Sequence, residues 1–66
     1  MASEDFRITL KAARINSGCR MKDAAAALGV SITTLSRWEN RHSTPRSDQF
    51  LAMCDLYSVS PAQVIL

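Results

Sequence analysis

Apolar residues recur at helical spacing along this chain, and they fall into five short runs. Phe6, Leu10 and Ala13 stand at i, i+4 and i+7, with Ser3 placed to cap and Glu4 and Asp5 in the first turn. This predicts a first helix that stops near Asn16-Ser17-Gly18, because Gly18 can take the left-handed conformation at little steric cost. A second helix is predicted over Met21–Leu28, rich in alanine, the best helix former, and Gly29 offers the next chain reversal. Ser31 can cap a third helix, in which Leu35 and Trp38 share a face, running to about Asn40. Residues 41–46 carry Ser, Thr and Pro without an apolar period and read as a loop. Ser47 then caps a fourth helix whose inward face is Phe50, Met53, Cys54 and Tyr57, and Ser60-Pro61 opens a fifth that runs through Val64 to residue 66. No alternating apolar and polar run predicts a strand, and there is no internal repeat. The expected fold is all-α, a compact bundle of five short helices forming one domain over residues 1–66.

The join between the second and third helices carries the most information. Ala25 faces the third helix, where a small residue lets two steeply crossed helices approach, and Gly29 supplies positive φ at the turn. Val30 tucks into the core, and Leu28, Leu35 and Trp38 fill the angle between the two helices. The third helix is thereby held outward. Ile32, Thr33, Ser36 and Arg37 cannot reach that core and face solvent or a ligand. An apolar Ile32 in such a place is unusual.

Composition narrows the function. A chain of 66 residues buries only about 60% of the surface that it exposes when unfolded, which favours a binding module over an elaborate enzyme pocket. It is 47% hydrophobic and 21% charged, the balance of a folded globular domain. No run is long enough to span a membrane and the start is acidic, unlike a secretory signal, so a cytoplasmic location is expected. Cys19 and Cys54 give no disulfide framework, and each is read as a reduced thiol on an apolar helical face. With His42 they make three scattered donors, short of a zinc site, so neither a metal nor another cofactor is expected, and no catalysis. His42 reads as a solvated loop residue.

The formal charge of +2 matters less than its arrangement. Arg7, Lys11, Arg14, Arg20 and Lys22 follow one another without an intervening acid, and Arg37, Arg41 and Arg46 are opposed only by Glu39. One positive face is consistent with this. Charge alone fits an ordinary solvated surface as well as a nucleic-acid footprint, so a motif has to decide.

The string Ala25-Ala-Ala-Leu28-Gly-Val-Ser31, followed by Leu35-Ser-Arg-Trp-Glu-Asn40 and later by Val59-Ser-Pro-Ala-Gln-Val64, resembles the Cro/repressor or XRE family of helix-turn-helix domains. The resemblance covers residues 6–66, and the Trp-Glu-Asn ending sharpens it. It implies that the start of the third helix enters the major groove of double-stranded DNA, with Ile32, Thr33, Ser36 and Arg37 placed to meet base edges. Arg37 is the strongest of these, since arginine can donate two hydrogen bonds to guanine O6 and N7, whereas Ile32 can cover only a thymine methyl. Thr34, Asn40, Arg41, Thr44 and Arg46 are candidates for phosphate contacts, together with Arg20, Met21 and Lys22 at the start of the second helix. The resemblance also implies that Glu39 turns inward to pair with Arg14, tying the first helix to the third. Three positions depart from the family pattern: Arg20 and Met21 stand where it has a hydroxyl cap and a glutamine, and Arg41 where it often has glycine. Met21 has no side-chain donor for phosphate, leaving charge on Arg20 or Lys22 and the free amides of the helix start.

Three functions compete on this evidence. A sequence-specific DNA-binding transcriptional regulator, of repressor type, leads; a homodimer on a near-palindromic operator would give so small a domain enough selectivity. The runner-up is a protein-interaction module on the same fold, such as an antitoxin or anti-repressor, which exposed Ile32 and Met21 would suit. An enzyme is the third. For the dimer contact, the apolar end from Val64 to residue 66 and the face around Tyr57 are candidates, against the plainer possibility that they close the core.

Overall fold

Thr9, and not Ser3, starts the first helix in the structure, a computed structural model that describes residues 7–65. The Thr9 side chain accepts from the Ala12 amide at 3.1 Å, and helix α1 spans Leu10–Asn16. Ser3, Glu4, Asp5 and Phe6, read as the cap, first turn and first apolar contact, lie outside the described residues. Leu10 and Ala13 face inward as their spacing requires, and Arg14 is buried beside them.

Gly18 turns the chain at φ 80°, and Cys19 sits half-buried in this turn, not on a helical face. Helix α2, Met21–Leu28, ends on Gly29 at φ 71°, where the Val30 amide reaches back to the Ala25 carbonyl. Helix α3, Ile32–Glu39, is capped by Ser31, whose hydroxyl accepts from the Thr34 amide. Helix α4, Ser47–Tyr57, has Arg46 at its N-cap instead of Ser47. A guanidinium has no acceptor with which to cap, and the reverse bond is made: the Gln49 side chain accepts from the Arg46 amide at 3.2 Å.

The last predicted helix is replaced by one 3-10 turn, Pro61–Gln63, and a strand. The all-α class holds, but the expected five helices become four α-helices and the 3-10 turn, joined by a two-stranded parallel sheet of two residues per strand, with Ile8–Thr9 as β1 and Val64–Ile65 as β2. Ile8 stands opposite Val64 and Thr9 opposite Ile65. All four residues are β-branched, which restricts χ1 in a helix and favours extended backbone. The strands are too short for an alternating pattern to announce them.

Small residues set the packing of α2, which lies against both α3 and α4 through Ala24 and Ala25. Leu35 and Met53 are the largest fully enclosed side chains, and Trp38, Leu10, Ile8 and Tyr57 complete the core. Leu28 and Val30 pack against it from partly buried positions. Cys54 is buried and Cys19 half-buried, both as free thiols, and burial pushes the Cys54 thiol up.

Tyr57 is only 3% exposed, and its hydroxyl has no hydrogen-bond partner among the described residues. It closes the core and is not available as a dimer face. Burial first, and then the negative charge of Glu39, push its phenol up to about 12. The unfolded chain ionises near the ordinary value of 10, so stability present below pH 10 is lost as pH rises towards 12. Tyr57→Phe should match the parent near neutral pH within about 1 kcal/mol, and lack about 2 kcal/mol of the parent's alkaline loss. Urea titrations of both proteins at pH 8 and 11.5 measure the difference.

Candidate nucleic-acid interface

Successive residues of a helix are separated by about 100°, and this alone divides α3 into two faces. Leu35 and Trp38 point inward, with Leu35 fully enclosed and Trp38 7% exposed. Ile32, Thr33, Ser36 and Arg37 fall on the opposite arc; Ile32 is 50% exposed, Thr33 and Arg37 are exposed, and Ser36 is half-buried. The Ser36 hydroxyl is engaged, accepting from the Asn40 amide nitrogen at 3.2 Å. Thr34 sits off this arc, its hydroxyl accepting from Ser31 at 3.0 Å. Ile32, Thr33 and Arg37 therefore form the free part of the surface.

A buried ion pair ties the end of α3 to α1. Arg14 Nε donates to Glu39 at 2.6 Å and a second guanidinium nitrogen donates to the other carboxylate oxygen at 3.2 Å. Its third nitrogen donates to the Cys19 carbonyl at 3.0 Å, so one side chain links α1, the turn before α2 and the end of α3. The Glu39 side chain is 2% exposed and that of Arg14 10%. The hydrogen bond to Glu39 raises the Arg14 pKa against the opposing effect of burial, so the guanidinium stays charged. Arg14 is thereby removed from any outer positive face.

Beyond α3 the chain turns on Arg41, which adopts a left-handed φ of 63°. The amides of Arg41, His42 and Ser43 return to the carbonyls of Trp38 and Arg37, satisfying the helix end. The turn leaves a cleft of about 220 Å³ between Trp38, Arg41, Ser43, Thr44 and the buried Pro45. Arg41, Ser43 and Thr44 are exposed along its rim, and His42 is an exposed residue of the same turn.

At the other side, α2 begins at Arg20, which makes no side-chain cap. Arg20 pairs instead with Asp23 at 3.5 Å, and Arg46, at the start of α4, pairs with Asp48 at 3.7 Å. Lys22, Arg37 and Arg41 have no ion-pair partner among the described residues. The positive face is consequently smaller than a count of cations along the chain implies. Met21 is half-buried and packs against the core, which corrects its reading as an exposed apolar residue. Its backbone amide, in the first turn of α2, is the part of it that a phosphate could meet.

Sequence reasoning missed the two Arg-Asp pairs. Their signal was present, since an acid follows each helix-initiating arginine within three residues. Among the described residues no three His, Cys, Asp or Glu side chains are grouped to hold a metal ion, and no helix is long and apolar enough to cross a membrane.

No curated protein and no solved structure matches the chain. A family model does: residues 10–64 match the model described as helix-turn-helix, an interval that opens at the first residue of α1 and closes within β2. With an enclosed Ala25, a left-handed Gly29 and an outward α3 at the centre of that interval, the chain belongs to the Cro/C1-type, or XRE, family of helix-turn-helix domains.

Proposed function

We propose that this protein binds double-stranded DNA sequence-specifically, with α3 in the major groove, and acts as a transcriptional repressor. The carrying observation is the outward arc of Ile32, Thr33 and Arg37 on a helix whose opposite face is fixed by Leu35, Trp38 and Glu39. A rigid helix offering a guanidinium, a hydroxyl and a branched apolar group can meet guanine, either base pair and a thymine methyl in turn. Ser36 belongs to the same arc, held to Asn40. Phosphate contacts fall to Lys22 and Arg41, which have free charge, to Thr34, Asn40 and Thr44 as neutral partners, and to Arg20 and Arg46 once their aspartates release them. Binding needs no cofactor or catalytic group. The proposed assembly is a homodimer on a near-palindromic operator, and Ile65, 39% exposed, is what the described residues offer from the apolar end.

The experiment is fluorescence anisotropy of a labelled random duplex at 50 and 200 mM salt. On a random duplex three charge contacts per protomer, from Lys22, Arg37 and Arg41, predict a fall in affinity of about 40-fold per protomer over that range. A folded protein that ignores the duplex at low salt would overturn the proposal. The protein-interaction alternative, an antitoxin or anti-repressor, now rests on Ile32 without Met21, and its apolar contact would respond little to salt.

Arg41 gives a separate expectation, because its backbone conformation and its charge act on different measurements. Arg41→Gly relieves a left-handed non-glycine residue and should raise stability by about 0.5–1 kcal/mol, seen as a higher Tm. The same variant should flatten the salt dependence of DNA binding by about 0.9 in log–log slope.

A further inference from the structure

The two helices that follow the chain's outward turns into α2 and α4 begin alike. Arg20 is the N-cap of α2 with Asp23 in its first turn, and Arg46 is the N-cap of α4 with Asp48 in its first turn. In both, the guanidinium points to the carboxylate, at 3.5 and 3.7 Å, and all four side chains are largely exposed. An aspartate in the first turn meets the positive end of the helix dipole and an adjacent guanidinium, the same two attractions that a DNA phosphate would use. Exposed pairs of this kind are weak and open readily. Two acids beside two cations also cancel their field at a distance, where encounter with DNA is decided.

We propose that Asp23 and Asp48 are internal competitors for phosphate, which hold Arg20 and Arg46 back and keep the sequence-independent affinity of this domain for DNA low. The inference rests on the DNA-binding reading and deepens it. Lys22, Arg37 and Arg41 make the first contacts, and the two paired arginines join only where the duplex approaches closely enough to displace the aspartates. Phosphate contacts carry no sequence information, so the aspartates set how tightly the protein holds any duplex and leave the preference among sequences to α3.

The test compares the parent with Asp23→Asn/Asp48→Asn on a random duplex across a salt series, after circular dichroism melts establish that both are folded. The double variant is expected to bind about tenfold more tightly at 0.1 M salt, with a log–log slope steeper by up to about 1.8 per protomer. Asp55→Asn is the control for net charge; Asp55 is exposed on α4, two turns beyond Asp48, and has no ion-pair partner among the described residues. It should change affinity by less than about twofold. In an Arg20→Gln background the gain from Asp23→Asn should shrink, because its competitor has gone. An equal gain from Asp55→Asn, or an undiminished gain in the Arg20→Gln background, overturns the inference while leaving DNA binding intact. A double variant whose slope equals the parent's does the same. A folded parent and double variant that both ignore the duplex overturn the DNA-binding reading, and this inference with it.

Discussion

Glu39→Ala is expected to cost about 3–5 kcal/mol, because it leaves the Arg14 guanidinium buried without its counter-charge. For a chain of 66 residues total stability is on the order of 3–10 kcal/mol, so this variant should be partly unfolded at 37 °C. Thermal melts by circular dichroism provide the measurement. The sharper test is the paired replacement Arg14→Met/Glu39→Leu, which removes both charges and substitutes apolar side chains of similar length. It should recover most of the loss, since desolvating an ion pair offsets much of its attraction. A Glu39→Ala variant that melts with the parent would show that the pair does not hold α3.

Arg37→Ala carries the second large expectation, and it concerns binding. Arg37 is exposed, has no ion-pair partner among the described residues and lies on the outward arc of α3. If it reads a guanine, its loss should weaken binding to a selected operator by about 1–3 kcal/mol, roughly 5- to 150-fold, while random duplex loses only one charge contact. The two affinities should therefore converge. Equal weakening on both duplexes would assign Arg37 to the backbone. Stability should be unchanged, because the side chain is exposed.

Much of the interior was legible because helices repeat their apolar residues. The spacing of Leu35 and Trp38, the alanines of α2 and the left-handed Gly29 all follow from sequence rules that need no distant partner. The chain ends were less legible. Ser3 and Thr9 are equally good caps by residue type, and the choice between them is made by Ile8 entering a sheet with Val64, a contact no local pattern reveals. The last helix failed for the same reason, since Val64 and Ile65 are apolar at spacings that suit a helix or a strand. Arg46 took the cap from Ser47 because Gln49 supplies the reverse bond. At the site, the outward residues of α3 were legible as the complement of the core. The state of the cations was not, because charge along a chain does not tell which arginine is buried with Glu39 and which lean on aspartates.

The small sheet also bears on the order in which the molecule assembles. Its partners come from opposite ends of the described chain, whereas the helices and their turns are local. Joining such distant segments carries the entropy of closing a long loop for few hydrogen bonds, so the pairing is expected to follow helix docking along the folding route. The strands then act as a late clasp. A variant that cannot pair them is expected to unfold faster with little change in its folding rate, and Ile8, buried beside the pairing, is the core residue whose protection would fall with it.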